Sequence, residues 1–401
     1  MKYDFESIID RGGTGALAIE GAGLYTDMAP EKPEQGFDFI PMWVADMSFA
    51  TAPAVTEALM NRIGHPLYGY YLPKEAYFDS IIRWQEKHHK VDGLTREAIG
   101  YENGVHGCIS TCVETFTRPT EPVFLHSPFY LGFSFDIQGL GRTPVYSELK
   151  KDEDGIYRID FADMEEKIKE SNCHCAIMCS PHNPTGRVWE AWELEKCMEI
   201  FERYQVLVIS DEIWADITYS GYRHIPSQSV NEWAKQNTIA IYAPSKTFNL
   251  AGLIGSYHII YNKALRDKVN HYAAATHYNE QNVLSMEALI GAYSEEGAKW
   301  AKELCLVLEK NTTYISDYLN SKGVRATKPQ GTYMVFADCT EYCKDNNIRI
   351  DELLKKGYKV GVGWQPGKSF GGDCHIRLNG ALPFSRVKEA INRLENYVFT
   401  K

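Results

Sequence analysis

The chain has 401 residues, a length that favours two domains over one compact core. Its hydrophobic content of 44% and charged content of 24% are ordinary for a soluble globular protein. The formal net charge of −11 argues against a surface for nucleic acid or anionic membranes, because both require clustered Lys and Arg.

The N-terminal sequence MKYDFESIIDRGG lacks the apolar core of a signal peptide, and no run of about 18 apolar residues follows. We therefore expect a cytoplasmic protein that neither enters a membrane nor binds nucleic acid. Ten cysteines fit free thiols in a reducing compartment. Two groups of them, at 173–179 and 339–343, lack the spacing of zinc ribbons, so we interpret them as structural and predict no metal site.

The chain begins irregularly and then becomes helical. Residues 1–36 are rich in Gly, Asp and Pro without a sustained period, which predicts an irregular arm. We expect a short strand and a polar turn at 37–46, followed by helices over 51–62 and 75–89. The aromatic loop LYGYY (67–71) lies between these helices.

From about residue 100 to 261, apolar strands alternate with helical stretches. This order predicts an α/β fold with a largely parallel sheet that helices cover on both faces. The predicted strands are 99–102, 122–126, 143–146, 175–179, 206–210, 238–242 and 256–261. The predicted helices between them include 107–117, 161–170, 191–204 and 230–235.

After Leu265 the pattern changes to long helices and then to short strands. Helices are predicted at 279–293, 296–320, 350–356 and 385–398, and strands at 333–337 and 374–378. This pattern indicates a smaller α+β domain, joined by the N-terminal arm. We therefore predict a large domain of residues 49–289 and a small domain formed by residues 1–48 and 290–401.

Ligands of α/β sheets bind at the carboxyl ends of the strands, so the residues that follow each strand are the first candidates for function. The sequence NGVHG (103–107) follows the first predicted strand and leads into a helix. Glycines that let the backbone approach closely, followed by a helix N-terminus, are typical of a phosphate cradle. Taken alone, an ordinary turn explains this sequence as well.

Three further strand ends carry groups that suit a planar, charged ligand. Tyr130 could stack on a ring, although a core aromatic is the alternative. Asn183 lies in SPHNPTG (180–186), where two prolines and a glycine restrict the turn, and its amide could donate to a phenolate oxygen. Asp211 ends an apolar strand and therefore needs a cation, unless it caps a helix.

Lys246 lies between two strand-like runs and is flanked by small residues. A solvated surface charge is the plain alternative, which the groups at the other strand ends disfavour. Its amine is placed to form an imine with an aldehyde, and we predict that it carries pyridoxal 5′-phosphate (PLP). The pyridinium nitrogen of PLP is then the cation that Asp211 requires. Arg377, in an apolar strand, suits the α-carboxylate of an amino acid or a structural ion pair.

Taken together, these residues resemble those of the fold-type I PLP enzymes, the aspartate aminotransferase superfamily. The shared motifs occur in order along nearly the whole chain: Gly104-Val105, Tyr130, HNPTG (182–186), SDE (210–212), SK (245–246) and IRLN (376–379). The sequence most resembles the cystathionine β-lyase-like C–S lyases of the aminotransferase-like branch. It does so in PMWVADM (41–47), YGY (68–70), SPHNPTGRVW (180–189), SDEIWADI (210–217) and APSKTFNLAGL (243–253).

The resemblance implies roles around the cofactor ring. Lys246 would be the catalytic residue and bind PLP covalently, while Asp211 would pair with the pyridine nitrogen. Asn183 would bond the ring phenolate and Tyr130 would stack on the ring. Trp214 stands where many relatives have Tyr or His, so a second bond to the phenolate would come from its indole N–H or be missing.

The resemblance also implies a phosphate site and a substrate site. The phosphate would be held by the backbone at Gly104, Val105 and His106, by the Ser245 hydroxyl, and by Tyr70 of the partner subunit in a homodimer. The substrate would be bound by Arg377, with Asn183, Trp43 and Ala45 beside it.

The sequence departs from many aminotransferases at the phosphate site. Ala243 replaces a phosphate-binding Ser, and Ile254 stands where an Arg is common. The segment between Arg266 and Arg325 contains no arginine, which disfavours specificity for dicarboxylates.

The resemblance implies PLP-dependent β-elimination on L-cystathionine or related cysteine S-conjugates, releasing a thiol, pyruvate and ammonia. The first alternative is an aminotransferase of non-dicarboxylate amino acids, because both reactions begin with removal of the Cα proton. The second alternative is a regulatory protein that uses the fold to modulate a transcription factor.

Overall fold

The computed structural model describes residues 1–24 and 28–400. Contacts between Cα atoms group the chain into two units. Unit 1 comprises Met1–Ala50, Asn183–Arg187 and Glu303–Lys401, and unit 2 comprises Thr51–His182 and Val188–Lys302.

The helices and strands are numbered in chain order. The helices are α1 (Leu17–Glu20), α2 (Pro53–Ile63), α3 (Glu75–Trp84), α4 (Val105–Phe116), α5 (Leu131–Gly139), α6 (Phe161–Ser171), α7 (Ala191–Arg203), α8 (Glu232–Asn237), α9 (Lys263–Thr276), α10 (Val283–Ala292), α11 (Glu295–Ser321), α12 (Thr340–Asp345), α13 (Ile350–Lys359) and α14 (Phe384–Tyr397). A π-helical turn, Gln85–His89, extends α3. Within residues 1–24 and 28–400, none of the helices combines the length and the apolar character that crossing a lipid bilayer requires.

The strands that the structure describes are short and contain two to six residues. They are β1 (Ile40–Pro41), β2 (Ile99–Glu102), β3 (Pro122–Ser127), β4 (Thr143–Glu148), β5 (Lys150–Lys151), β6 (Tyr157–Arg158), β7 (Cys175–Cys179), β8 (Leu207–Asp211), β9 (Thr238–Tyr242), β10 (Ser256–Ile259), β11 (Arg325–Ala326), β12 (Met334–Asp338), β13 (Val362–Gly363), β14 (Gln365–Pro366) and β15 (His375–Asn379).

Unit 2 contains a seven-stranded sheet with the strand order β2-β10-β9-β8-β7-β3-β4. The five strands from β9 to β4 run parallel, and β10 runs antiparallel to both of its neighbours. Strands β7 and β9 are buried along their whole length, and β8 is buried at all but its first residue. Apolar strands of this kind fit a sheet that is covered on both faces. The structure therefore confirms the predicted α/β class and the mainly parallel sheet.

Helix α4 shows how the sheet is covered. Its residues Cys108, Ile109, Cys112 and Val113 share one face and are fully buried. They form one apolar cluster with the central strands, including Ile209 of β8. The buried cysteines of this helix thus act as small apolar residues.

Unit 1 contains a four-stranded antiparallel sheet with the order β11-β12-β15-β14. A separate parallel pair joins β1 to β13. An apolar cluster fills this unit and includes buried side chains of β12 and β15 together with Leu353 of α13 and Leu394 of α14. Helices and antiparallel strands thus form one core, as the sequence predicts for an α+β unit.

The predicted elements agree with the structure except near their ends. The predicted strands 175–179 and 238–242 coincide with β7 and β9. The helix predicted at 279–293 begins only at Val283, because the side chain of Asn282 accepts hydrogen bonds from the N–H groups of the first helical turn.

The two units differ from the predicted domains in three segments, the shortest of which is residues 49–50, which group with unit 1. Residues 183–187 group with unit 1, where the N–H groups of Gln330 and Gly331 donate to the carbonyl of Gly186 at 2.9 and 3.0 Å. Residues 290–302 group with unit 2, where the ring of Trp300 stacks on Phe248 with the ring centroids 5.6 Å apart.

Candidate active site

The carboxyl ends of five strands meet at one edge of the unit 2 sheet. Strands β3, β7, β8 and β9 run parallel, and β2 runs in the same direction because β10 is antiparallel to both β2 and β9. The residues at or just after these ends include Gly104, Tyr130, Asp211 and Lys246. The topology therefore brings four of the predicted cofactor residues to the same edge.

The turn between β2 and α4 has the features of the predicted phosphate cradle. Gly104 is the N-cap of α4, with φ of +86°, and no side chain caps the helix. The N–H groups at the start of α4, including those of Val105 and His106, are thus available to an anion, and the helix dipole favours negative charge there.

The cradle is held from one side by the loop that follows α9. The hydroxyl of Tyr278 donates to the carbonyls of Asn103 and Gly104 at 2.8 and 3.2 Å. The N–H of Asn103 donates to Oδ1 of Asn279 at 2.9 Å. A Cβ atom at Gly107 would lie 1.8 Å from the Tyr278 hydroxyl oxygen, so this position requires glycine.

Tyr130 is connected to His106 and Asp136. The Tyr130 hydroxyl lies 3.1 Å from Nε2 of His106, and Nδ1 of His106 lies 2.8 Å from Oδ2 of Asp136. Burial lowers the pKa of His106, but the hydrogen bond and charge of Asp136, together with the charge of Asp211, raise it above the usual value. The sequence had suggested only a backbone role for His106.

Asp211 is the last residue of β8 and is almost completely buried. Its Oδ1 accepts a hydrogen bond from the N–H of Ile213 at 3.0 Å. Burial raises the pKa of Asp211 to about 6, although this bond and the positive charges of His106 and Lys246 partly oppose the shift. A buried carboxylate with a raised pKa is a site that a further cation would stabilise.

Glu212, the next residue, is buried in a polar network that the sequence did not reveal. Its Oε1 accepts from the hydroxyl of Ser210 and the N–H of Ser227, both at 2.9 Å. Its Oε2 lies 2.7 Å from Nε2 of His224 and accepts from the hydroxyl of Tyr242 at 2.5 Å. Glu212 therefore ties the end of β8 to the end of β9.

Lys246 lies in the turn after β9 and is partly buried. Its Nζ atom is 5.9 Å from the ring centroid of Trp214, which is buried. The adjacent Thr247 donates to the carboxylate of Asp216 at 3.5 Å, and Nε2 of His89 lies 2.9 Å from the same carboxylate. The turn that contains Lys246, called the lysine turn below, is thus hydrogen-bonded to a second buried carboxylate, that of Asp216.

The structure also describes the two positions that depart from many aminotransferases, Ala243 and Ile254, and the predicted phosphate ligand Ser245. Ala243 is buried at the end of β9, and Ser245 is partly buried beside Lys246. Ile254 is exposed, and a Cβ atom at Gly104 would lie 3.6 Å from its Cγ2. An apolar side chain therefore borders the cradle at the position where the resemblance leads one to expect an arginine.

In unit 1, Arg377 of β15 is almost completely buried and is held by neutral oxygens. Its Nη2 donates to the carbonyl of Trp43 at 3.0 Å and to Oε1 of Gln365 at 2.5 Å. Its guanidinium carbon lies 4.0 Å from the ring centroid of Phe370. These contacts fix the position of the guanidinium, a group whose geometry suits a carboxylate ligand.

Asn183, Trp43 and Ala45 lie in the same unit as Arg377. Oδ1 of Asn183 accepts from Nη1 of Arg377 at 3.1 Å, which leaves the amide N–H₂ as the end that can donate to another group. The indole N–H of Trp43 donates to the carbonyl of Ala18 at 2.9 Å. The residues on either side of Ala45 are held by the Asn379 side chain, which donates to their carbonyls at 2.7 and 2.6 Å.

Tyr70 lies in the loop between α2 and α3 and is fully exposed. Much of the rest of this loop is exposed as well. The loop is anchored at both ends. Arg62 donates to the carbonyl of Leu67 at 2.8 Å, and the hydroxyl of Tyr71 donates to Oε1 of Glu287 at 3.0 Å.

The residues of unit 2 fit PLP in three respects. The N-terminus of α4 offers N–H groups to a phosphate, and Asp211 offers a buried carboxylate to the ring nitrogen. Lys246 offers an amine whose charge acts on both Asp211 and His106. These residues would hold the phosphate, the ring and the aldehyde carbon of the cofactor respectively.

Comparison with known proteins agrees with this geometry. The family model described as aminotransferase class I and II matches residues 39–394. Cystathionine beta-lyase PatB of Bacillus subtilis is 32% identical over 362 residues, which cover 89% of this chain and 92% of that protein. Protein MalY of Escherichia coli is 31% identical and covers 99% of both chains.

A similar fold occurs among solved structures. The crystal structure of cystalysin from Treponema denticola, which contains pyridoxal 5′-phosphate, superposes with a TM-score of 0.88. It is 30% identical, and the match covers 98% of each chain.

Proposed function

Because this chain belongs to the aminotransferase class I and II family, we propose that it is a PLP-dependent C–S lyase that acts on L-cystathionine or related cysteine S-conjugates. The products are a thiol, pyruvate and ammonia. The family and its PLP-bound structural neighbours confirm the predicted fold type, the predicted cofactor and an enzyme of this kind. The names of the relatives at about 30% identity support the lyase subgroup.

One observation supports the proposal most directly: the buried carboxylate of Asp211 lies within electrostatic reach of Lys246 and has a pKa raised to about 6 by burial. This is the arrangement that a cationic ring nitrogen would complete. When bound, PLP supplies an electron sink that stabilises negative charge at the substrate Cα.

Four residues of the chain would then have separate roles in the reaction. The carboxylate of Asp211 would keep the proton on the ring nitrogen of PLP, and the resemblance implies that the amide N–H₂ of Asn183 would donate to the ring oxygen. The amine of Lys246 removes the Cα proton as a general base, because its tether holds it close to the reacting carbon. The guanidinium of Arg377 binds the α-carboxylate of the amino acid.

We also propose that the enzyme is a homodimer in which Tyr70 of the partner subunit contacts the phosphate. The exposed loop supports this, since it presents Leu67, Tyr68, Tyr70 and Leu72 to solvent in the single chain. Contiguous exposed apolar side chains of this kind mark interaction surfaces. Sedimentation of the holoenzyme tests the dimer, and a Tyr70→Phe variant that binds PLP as tightly as the wild type would contradict the contact.

The elimination reaction is tested with the purified holoenzyme and L-cystathionine in the absence of any keto acid. We expect continuous release of pyruvate and thiol in equal amounts, and no release by Lys246→Ala. A single turnover that stops with the cofactor in its amine form would instead identify an aminotransferase, the other activity that the family name includes.

Specificity for dicarboxylates provides a second comparison. The segment between Arg266 and Arg325 contains no arginine, so a distal carboxylate has no guanidinium from that region. We therefore expect aspartate to be a poor amino donor with any keto acid. Efficient transamination of aspartate would contradict the proposed subgroup.

A further inference from the structure

Tyr278 contacts the predicted phosphate cradle through its side-chain hydroxyl. The hydroxyl donates its proton to the carbonyl of Asn103 at 2.8 Å and, more weakly, to the carbonyl of Gly104 at 3.2 Å. Burial raises the pKa of Tyr278, so the hydroxyl keeps the proton that it donates. One side chain from the loop between α9 and α10 thus holds two consecutive carbonyls of the cradle.

These contacts set the direction of two backbone N–H groups. A peptide unit is planar and trans, so its carbonyl and the N–H of the following residue point in opposite directions. The bond to the carbonyl of Asn103 therefore turns the N–H of Gly104 away from Tyr278. The contact with the carbonyl of Gly104 does the same for the N–H of Val105, the first residue of α4. Both N–H groups lie at the helix N-terminus, where an anion binds.

The sequence of the cradle makes such support necessary. Gly104 has φ of +86°, and glycine changes its backbone conformation at little cost. No side chain caps α4. The side chains of Ala243 and Ile254 cannot donate hydrogen bonds to a phosphate. The strength of the phosphate site therefore depends all the more on how firmly the backbone at 104–106 is held.

The loop that carries Tyr278 is itself fixed. Asn103 donates from its backbone N–H to Oδ1 of Asn279 at 2.9 Å and from its side-chain amide to the carbonyl of Tyr278 at 2.6 Å. The N–H of Tyr278 donates to the carbonyl of Ala273, in the last turn of α9, at 3.2 Å. Helix α9 shares an apolar cluster with α4 through Val269. The hydroxyl thus reaches the cradle from a support that belongs to the folded core.

Gly107, the third residue of α4, makes room for this contact. A Cβ atom there would lie 1.8 Å from the hydroxyl oxygen of Tyr278 and 2.2 Å from the ring carbon that bears it. Glycine is unfavourable within a helix. The close approach of the Tyr278 ring explains why α4 nevertheless has a glycine at this position.

We propose that Tyr278 is a positioning residue for the phosphate of PLP, because it orients the N–H groups at the start of α4 that bind the phosphate. The role rests on PLP as the cofactor and on the predicted phosphate site. It is the same whether the enzyme catalyses elimination or transamination. Loss of the hydroxyl should weaken the binding of the phosphate and leave the binding of the ring and the aldehyde unchanged.

The test compares PLP with pyridoxal, which has the same ring and aldehyde but no phosphate. Each compound is titrated into the apoprotein, and the Kd is measured from the absorption of the bound compound. For Tyr278→Phe, we expect the Kd of PLP to rise about 10-fold and that of pyridoxal to stay within about twofold, because one hydrogen bond that supports the phosphate site is lost. The Kd of inorganic phosphate, measured by competition with PLP, should rise by a similar factor.

Tyr272→Phe is the matched control. Tyr272 also lies on α9 and also donates to α4, but its acceptor is Glu114, near the opposite end of that helix, at 2.6 Å. This variant should keep all three Kd values of the wild type. Equal losses for PLP and pyridoxal in Tyr278→Phe would show that Tyr278 supports the whole site, and an unchanged Kd for PLP would show that its hydroxyl is not needed. Either result would overturn the proposal.

A second variant removes the same hydrogen bond from the other side. In Gly107→Ala the new Cβ atom displaces the Tyr278 hydroxyl, so the Kd of PLP should again rise while that of pyridoxal does not. A wild-type Kd for PLP in Gly107→Ala would contradict the role of Tyr278. None of these titrations contains an amino acid, so they can fail or succeed independently of pyruvate release from L-cystathionine, which tests the lyase function.

Discussion

Asp211 and Glu212 are adjacent and both are buried, yet their surroundings shift the pKa values of their carboxylates in opposite directions. Burial would raise the pKa of Glu212, but the charge and hydrogen bond of His224 and the bonds from Tyr242 and Ser227 lower it below its usual value. Burial raises the pKa of Asp211 to about 6, and the bond from Ile213 offsets only part of the shift.

The opposite pKa shifts distinguish Glu212, whose carboxylate supports the fold, from Asp211, whose carboxylate is suited to bind a ligand. Glu212 receives its hydrogen-bond donors from the chain itself, so its charge is satisfied in the folded protein and joins two strand ends. Asp211 is left with a raised pKa, which costs stability unless a ligand supplies positive charge. The unfavourable environment of Asp211 is therefore what prepares it for a cationic ring nitrogen.

Replacing Glu212 with Gln should have the largest effect on stability. The amide would place N–H groups against neighbours that donate, such as the N–H of Ser227. We expect the free energy of unfolding of the apoprotein to fall by about 3 kcal/mol, as measured by urea denaturation. PLP affinity should fall as well, because Asp211 and the lysine turn lose their common support.

Glu193→Gln is the matched control for this variant. Glu193 is a fully buried glutamate of α7 near Arg158, outside the edge that carries Lys246. It should lose stability without losing affinity for PLP. If Glu212→Gln binds PLP as tightly as Glu193→Gln does, the network of Glu212 serves the fold alone.

Replacing Asp211 with Asn should act in the opposite direction on the apoprotein. Asn keeps the acceptor for the N–H of Ile213 and removes a buried charge. We expect the apoprotein to gain about 2 kcal/mol of stability at pH 7, because the raised pKa measures the cost of ionising this carboxyl in the fold. The rate of elimination should fall about 10²- to 10³-fold, because the positive ring nitrogen loses its counter-charge. A destabilised apoprotein would mean that Asp211 is already satisfied by the chain.

The stabilisation by Asp211→Asn should depend on pH. The native wild type binds more protons at Asp211 than the unfolded chain does between about pH 4 and pH 6, so its stability falls as the pH rises through this window. The gain of the variant should therefore be complete above pH 6 and drop to about half at pH 5. The measurement is urea denaturation of both apoproteins from pH 5 to pH 8.

The stability of the variant must be compared with that of the wild type at each pH, because a second buried group, His126, also makes stability depend on pH. Burial lowers the pKa of His126 to about 4, so both proteins lose stability as the pH falls from about 6.5 towards 4. This loss is common to wild type and variant and cancels in the comparison. A gain that does not change with pH would show that Asp211 does not titrate in this range.

The same contrast explains what the sequence could predict. Asp211 and Lys246 follow apolar strands, so the periodicity of β8 and β9 is enough to place them at one edge of the sheet. Gly104 follows β2 and precedes α4, so its place at the same edge was predictable, although an ordinary turn explained its sequence as well. Their roles in catalysis remain predictions, whereas the fold and the family are confirmed.

The supporting residues could not be found in this way. His106 and Asp136 are 30 residues apart on different helices, and Glu212 meets His224 through a loop without periodicity. No local pattern encodes such pairs, because they depend on how α4 packs on α5 and on how residues 212–227 turn back. The grouping of 183–187 with unit 1 was missed for the same reason, since it depends on hydrogen bonds to residues 330 and 331.

The smallest expected effect on stability comes from removing a single hydrogen bond of the Glu212 network. Tyr242→Phe removes the hydroxyl that donates to Oε2 of Glu212 and leaves His224 and the two donors at Oε1 in place. We expect a loss of about 1 kcal/mol in the free energy of unfolding.

Tyr77→Phe is the control, because the buried hydroxyl of Tyr77 has no hydrogen-bond partner within the part of the chain that the structure describes. Its removal should leave stability unchanged or slightly higher, since a buried hydroxyl without a partner is unfavourable. Equal losses in the two variants would show that ring packing, and not the bond to Glu212, accounts for the effect at Tyr242. A loss near 3 kcal/mol in Tyr242→Phe would instead mean that the network fails as a unit when any one donor is removed.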